Sequence, residues 1–240
     1  MPRTVLVTGG TSGIGRAVAA LFAADRAQVI VTGRHQDTVT QAAEELGAGV
    51  TGAVCDASDP DQVAALAARL DSLDVLVNAA GGLPAAPTGS DGALHGVLAQ
   101  WQDSLAQNLL TAVLTTTAVR PLLTAHSCVV SIGSIGAERR GGSYGAAKAA
   151  LAAWNAALSH ELGPSGVTCN VIAAGYIEGT GFFRGGMTGE RHRALVEETH
   201  DKRAGTVDDI ARTALFLASP GARHITGQTL HVNGGAHTTR

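Results

Sequence analysis

Apolar runs of strand length alternate along the chain with longer segments whose apolar residues recur every three or four positions. The runs Thr4–Val7, Gln28–Thr32, Val50–Cys55, Asp74–Val77, Cys128–Ile132, Val167–Ile172 and Thr229–Val232 read as strands. The segments Ile14–Asp25, Gln36–Leu46, Pro60–Leu70, Leu98–Leu123, Tyr144–Leu162 and Val207–Ala218 read as helices. The strands are continuously apolar rather than alternating, which implies burial on both faces. Strand and helix repeated to the end predict a parallel sheet of about seven strands with helices on both sides, a doubly wound α/β fold of Rossmann type. It is read as one domain over 1–240. Gly81–Gly96 and the stretch from Gly175 to about Glu190 carry no such pattern. Both follow a strand, and ligands in open parallel sheets bind beyond the strands' carboxyl ends. Both are therefore candidate site loops, and 175–205 is read as a mobile substrate-loop region.

Composition narrows the function classes. Of the 240 residues 45% are hydrophobic but only 3% aromatic, so Val, Leu, Ile and Ala must fill the core. A net charge of −3 gives no electrostatic reason to expect nucleic acid or an anionic membrane as partner. No apolar run approaches the ~20 residues of a membrane-spanning helix. Met-Pro-Arg runs straight into the first strand without a signal-peptide pattern. The three cysteines Cys55, Cys128 and Cys169 each fall in an expected strand, without paired spacing. These features lead us to expect a cytoplasmic protein with reduced, buried thiols. The histidines show no metal-ligand spacing. His192, His200, His231 and His237 read as surface or packing residues, and no metal is expected.

The first strand runs into Thr8-Gly9-Gly10-Thr11-Ser12-Gly13-Ile14-Gly15. Gly9 allows a sharp turn, Gly13 leaves no side chain to hold a phosphate off the backbone, and Gly15 lets the helix pack closely on the sheet. The N–H groups of the helix start then face a pyrophosphate. The second strand ends in Gly33-Arg34-His35, with no acid before Asp37. A carboxylate there would bind the adenosine ribose and select NAD. Gly33 removes that side chain and Arg34 offers a fork for a 2′-phosphate, so NADP(H) is expected. Arg16, one turn into the first helix, is read as facing solvent. Asp56 either accepts from the adenine amino group or caps the helix at Asp59-Pro60. Asn78 is read first as a bridge between strand ends and second as a cofactor contact. The expected nucleotide contacts are Gly9, Thr11, Ser12, Gly13, Ile14, Gly15, Arg34, His35, Asp56, Asn78, Ala79, Gly81, Tyr144, Lys148, Gly175 and Ile177.

Tyr144 and Lys148 lie four apart and share a helix face. A phenol titrates near 10, and a neighbouring ammonium favours the phenolate and lowers that value. The preceding strand ends in Ser131-Ile132-Gly133-Ser134, so a serine and a tyrosine can polarise one carbonyl oxygen together.

TGGTSGIG at Thr8–Gly15, NAAG at Asn78–Gly81, Ser134, and Tyr144-Gly145-Ala146-Ala147-Lys148 together resemble the short-chain dehydrogenase/reductase family. The resemblance extends through Asn170–Thr180 and Ile225–Gly235, and favours the compact reductases that include 3-oxoacyl-carrier-protein reductases. It implies a carbonyl/alcohol oxidoreductase using NADP(H). Tyr144 would be the general acid in reduction, Lys148 its tuner and a ribose contact, Ser134 the carbonyl-orienting group, and Asn108 the helix asparagine that holds a proton-relay water. It also implies a small carbonyl substrate, carrier-linked in some relatives, and dimers or tetramers joined through the Asn108 helix and the alanine-rich Tyr144 helix, where Trp154 could anchor a partner. Two departures stand out. Ser134 lies only ten positions before Tyr144 where the family usually leaves about a dozen, while Ser131 has the usual separation but sits within the strand pattern. We assign Ser134 and a shortened loop. Ala173-Ala174-Gly175 lacks the usual proline, which frees backbone torsions at the loop entrance. Arg139 and Arg140 at the loop are either solvated charges or contacts for an anionic substrate or acidic carrier. The competing class is a non-catalytic NADP-binding sensor, which would need only the nucleotide loop. An epimerase or dehydratase would need a larger carboxyl-terminal domain.

Overall fold

Seven strands form one parallel sheet in the order β3-β2-β1-β4-β5-β6-β7. They are β1 (Thr4–Thr8), β2 (Gln28–Gly33), β3 (Val50–Val54), β4 (Leu73–Asn78), β5 (Leu123–Ser134), β6 (Thr168–Ala174) and β7 (Thr229–Val232). The computed structural model describes residues 2–84, 94–139, 141–183 and 185–239. Successive side chains of a strand point to opposite faces, so continuous apolar runs feed two cores. Val5 and Val7 of β1 enter one, with Phe22 of α1 (Gly13–Ala24) and Ile210 and Leu217 of α9 (Val207–Leu217). Leu6 enters the other, with Val63 and Leu66 of α3 (Pro60–Ala67), Val119 of α5 (Thr111–Val119), and Leu158 and Leu162 of α7 (Gly142–Leu162). Trp154 packs on this second core and stays partly exposed.

The sheet order reverses between β1 and β4, and their register aligns Val7 with Val77 and Thr8 with Asn78. The strand ends on either side diverge there and open a crevice. Thr8 ties the two together, its hydroxyl accepting from the Ala79 and Ala80 N–H groups, each at 3.2 Å.

Three expectations are corrected. The helix read over Leu98–Leu123 is α4 (Leu94–Leu105), a π-helical turn (Ala106–Leu110), α5 and a short 3₁₀ turn, and Leu123 already belongs to β5. The region 175–205 contains a further helix, α8 (Gly189–Glu197), which escapes an apolar-period reading because it buries only Leu195. Cys55 lies one residue beyond β3, whereas Cys128 and Cys169 are in strands as expected. All three thiols are free and buried. Burial pushes Cys55 and Cys128 up to about 11 and Cys169 to about 12, so they are packing residues rather than nucleophiles. Among the described residues no helix is long and apolar enough to cross a membrane.

Candidate active site

A cavity of about 550 Å³ opens beyond the carboxyl ends of β1, β2, β4, β5 and β6. Of the expected nucleotide contacts, all but Asn78 line it. At its floor the Gly-rich turn leads into α1. Gly9 has φ +64, and a Cβ there would meet the Ala80 backbone at 2.9 Å. A Cβ on Gly15 would stand 2.3 Å from the Gly9 carbonyl oxygen, so a side chain at 15 would force this turn apart. At the end of β2 a Cβ on Gly33 would lie 2.8 Å from Thr11 Cγ2 and 3.1 Å from Val39 Cγ2. No carboxylate side chain fits at 33 without moving the turn. Arg34 beside it is exposed and makes no ion pair or side-chain hydrogen bond among the described residues.

The secondary candidates sort cleanly. Arg16 pairs with Glu45 of α2 (Gln36–Leu46), so it ties two helices together rather than standing free in solvent. Asp56 lines the cavity, and its Oδ1 accepts from the Ser58 N–H at 2.9 Å and hydroxyl at 2.7 Å. The cap of α3 is Asp59 itself, which accepts from the Asp61 and Gln62 N–H groups. Asn78 is buried and off the cavity, so its place among the nucleotide contacts is corrected. Its Nδ2 donates to Thr116 Oγ1 at 3.0 Å and Ser131 Oγ at 3.4 Å, bridging β4, α5 and β5. Arg139 is not a lone solvated charge, because it pairs with Glu198 at 2.8 Å. Arg140 and residues 85–93 of the Gly81–Gly96 loop lie outside the described residues.

The other end of the cavity gathers Ser134, Tyr144 and Lys148. Ser134 ends β5, and its Oγ accepts from the Gly136 N–H at 3.0 Å. Ser131, three residues earlier, is fully buried in the sheet between Asn78 and Val171. The short turn α6 (Gly136–Arg139) closes the gap to α7, the first turn of which carries Tyr144. Lys148 follows one turn later and donates to the Ile132 carbonyl oxygen at 2.9 Å. An ammonium has three N–H donors, so two are left without a partner among the described residues. Asn108 sits in the π-helical turn behind Gly81 and off the cavity surface. Its amide makes a reciprocal pair with Gly82, accepting from the N–H at 3.0 Å and donating to the carbonyl at 2.9 Å. It positions the Gly81–Gly82 wall, beside which Lys148 Nζ also lies.

Burial governs the titration of both polar groups. It pushes the Tyr144 phenol up to about 12, against a hydrogen bond with the Ser134 side chain that pulls the other way, and pushes the Lys148 ammonium down to about 8. The expected lowering of Tyr144 by Lys148 is therefore not met in the protein alone. Nζ stands 5.9 Å from the centre of the ring, and desolvation outweighs it. A lysine with a depressed folded value is penalised while it must stay charged. The folded chain then sheds its proton above about pH 8 while the unfolded chain keeps it to ~10.4. Lys148 alone accordingly contributes a rise in unfolding free energy between those limits, by up to about 1.4 kcal/mol per pH unit. Above ~8.5 the raised Cys55, Cys128 and Cys169, and above ~10 the raised Tyr144, work in the opposite sense. Lys148→Met should remove this lysine contribution, so that its stability falls relative to wild type as the pH goes from about 8 to about 10 in urea unfolding of the unliganded protein. A wild-type profile that runs parallel to that of Lys148→Met would refute the assignment.

Beyond β6, Gly175 donates to the Val232 carbonyl oxygen, Glu178 donates to that of Gly205, and Gly205 to that of Tyr176. This backbone pairing fixes the loop entrance in place of the missing proline. Phe182 of the following 3₁₀ turn stands edge-on to Tyr144 with ring centres 5.5 Å apart, and Phe183 stands against Phe182 and Tyr176. Tyr176 in turn shares a hydrogen bond with His192 Nδ1 at 2.8 Å. Thr180, Leu83, Gln107 and Thr111 also line the cavity. No local motif marks them, because they reach it from separate elements.

A strand-end cavity with a glycine-lined floor, a strand-end serine and a Tyr–Lys helix turn defines a class of nucleotide-dependent oxidoreductases. The chain belongs to the short-chain dehydrogenase/reductase family: residues 9–237 match the family model described as Enoyl-(Acyl carrier protein) reductase. It is 33% identical over 244 residues to the 3-oxoacyl-[acyl-carrier-protein] reductase FabG of Escherichia coli K12, covering 98% of this chain and 97% of that protein. Its fold is similar to a solved short-chain dehydrogenase/reductase from Brucella melitensis, described as a glucose/ribitol dehydrogenase (TM-score 0.89, 31% identity, 99% and 97% of the two chains covered). It is also similar to a blue fluorescent protein from a metagenomic library solved in complex with NADPH (TM-score 0.86, 31% identity, 98% of each chain covered).

Proposed function

We propose that this oxidoreductase reduces a carbonyl to a secondary alcohol with NADPH, using Tyr144 as the proton donor. The observation that carries the reading is the convergence of Ser134, Tyr144 and Lys148 at one end of a cavity that has a free guanidinium, Arg34, at the other. The residues present fit a dinucleotide: Gly9, Gly13 and Gly15 form a cradle for its pyrophosphate, Arg34 for a 2′-phosphate and Lys148 for a ribose hydroxyl. When bound, NADPH supplies the hydride, which no protein side chain can.

The chain's own groups do the rest. Ser134 donates a hydrogen bond to the substrate oxygen and orients it. Tyr144, its phenol held protonated at neutral pH by burial, gives its proton to the oxygen as negative charge develops there. Lys148, brought by burial to about 8, stands one helical turn away to support the phenol and to hold the ribose. Asn108 positions the wall facing them. Phe182 and Phe183 form the apolar part of a lid that excludes water, and 175–205 is the segment that moves with it.

The kinship with FabG, named for 3-oxoacyl chains on acyl carrier protein, supports a 3-oxoacyl thioester as substrate. An oligomer is supported by apolar side chains left open on α4, where Leu94 is 84% and Trp101 41% exposed. The reading as a non-catalytic sensor is disfavoured because sensing uses neither Ser134 nor Tyr144.

Arg34→Ala tests the cofactor part. Losing one charge-assisted contact to the 2′-phosphate should cost roughly 1.5–3 kcal/mol, or about ten- to hundredfold in NADPH affinity, with NADH affinity little changed. Fluorescence titration of both nucleotides measures it. A wild type that prefers NADH would overturn the reading of Gly33-Arg34.

A further inference from the structure

Glu138, His231 and His237 are 93 and 6 residues apart in sequence, yet their ligating atoms all lie within 4.8 Å of one another. Glu138 Oε1 is 3.1 Å from His231 Nε2, and Glu138 Oε2 is 3.8 Å from His237 Nε2. The two imidazole rings are 5.2 Å apart, tilted by 44°. We propose that these three side chains bind one divalent transition-metal ion, best matched by zinc(II), which clamps the carboxyl-terminal turn to the turn that follows Ser134.

The donor set is that of an open zinc site, two imidazole nitrogens and one carboxylate with a position left for water. Donors at zinc–ligand distances of about 2.0–2.1 Å in a tetrahedron lie about 3.3 Å apart; Glu138 Oε1 and His231 Nε2 already stand at 3.1 Å, and the three donor atoms, all within 4.8 Å of one another, must draw in around the ion. The side chains are 15 to 34% exposed, sheltered enough to hold an ion and open enough to admit one.

The backbone that carries the ligands is built to hold them in place. His231 is on β7 and Glu138 on α6. His237 sits beyond the strand on a turn organised by Asn233, which is 9% exposed. Asn233 Oδ1 accepts from the Gly235 N–H at 2.8 Å and the His237 N–H at 3.4 Å, and Nδ2 donates to the His237 carbonyl at 2.9 Å. The Gly234 carbonyl accepts from the His200 and Asp201 N–H groups, which fastens the turn to the body of the protein. Such ordering of ligands before binding is what raises affinity for a metal. The proposal departs from the expectation that His231 and His237 are surface or packing residues. The ion would stand apart from the nucleotide cavity, since none of its three ligands lines it.

The test is zinc binding by tag-free full-length protein, by equilibrium dialysis and calorimetry, with cobalt(II) absorption reporting the coordination number. The expected result is one equivalent of zinc bound with a dissociation constant in the micromolar range or below, and visible cobalt bands of a four- or five-coordinate ion. Thermal unfolding should shift upward by several degrees in saturating zinc. His231→Gln, His237→Gln and Glu138→Gln should each weaken binding at least tenfold, whereas His160→Gln, remote in sequence and exposed, should leave it unchanged. His237→Gln and Glu138→Gln lie on surface turns and keep the test open should His231→Gln fold poorly. No saturable uptake up to millimolar zinc, or uptake equal in wild type and the His231→Gln/His237→Gln double variant, would overturn the proposal.

Discussion

Tyr144→Phe should lower kcat by at least 10²–10⁴, the range general acid catalysis typically contributes, while NADPH binding survives. The substitution keeps the ring, its place in the first turn of α7 and its edge contact with Phe182. What it removes is the hydroxyl that, in the proposed mechanism, neutralises the new alkoxide. Ser134 could still donate a hydrogen bond but could supply no net proton, because a serine hydroxyl is far too weak an acid. The proposed nucleotide grip rests mainly on Gly9–Gly15, Arg34 and Lys148, and of the expected contacts the change alters only the Tyr144 hydroxyl. Single-turnover kinetics beside an NADPH titration separates the two effects. Near-normal turnover would sink the mechanism.

Ser134→Ala should cost about 10²–10³ in kcat, the usual loss for one donor to a developing oxyanion, again with NADPH binding intact. Ser131→Ala should behave differently. Ser131 is buried and, among the described residues, its side chain accepts only the long hydrogen bond from Asn78, so its loss should cost about 1 kcal/mol of stability and leave kcat within about twofold. The comparison is kcat against urea midpoint for the two variants. A rate loss in Ser131→Ala with Ser134→Ala near wild type would move the carbonyl-orienting role into the strand.

The legibility of the fold follows from where burial is two-sided. β7 runs over Thr229–Val232 as its apolar run predicts, and the other strands differ mainly at their ends, where pairing rather than composition decides. Leu123 illustrates this: it reads as the last turn of a helix, but pairing with Leu73 claims it for β5. The π-helical turn at Ala106–Leu110 inserts its extra residue without disturbing the apolar spacing, so the sequence shows one unbroken helix. The cavity is legible where chemistry is local, in the Gly-rich turn, Gly33-Arg34 and the Tyr144–Lys148 pair. It is illegible where partners are distant. Arg16 finds Glu45 across 29 residues, Arg139 finds Glu198 across 59, and Glu138 finds His231 across 93, and no spacing rule reaches that far. The acidity of Tyr144 departs from the expected direction for a related reason. Its distance along the helix from Lys148 is visible in sequence, whereas the desolvation that dominates both groups arises only from the assembled fold.

Hydride transfer from NADPH to a carbonyl carbon is tested most directly with NADPH carrying deuterium at C4 of the nicotinamide, on one face or the other, and a 3-oxoacyl thioester as acceptor. The mass of the product then reports the origin of the new C–H bond. We predict a 3-hydroxyacyl product with deuterium at C3 from one face of the nicotinamide and none from the other, and one NADPH oxidised for each molecule formed. NADPH that binds but is consumed with no 3-oxoacyl thioester or simple ketone, or a product without label from either face, would contradict the account.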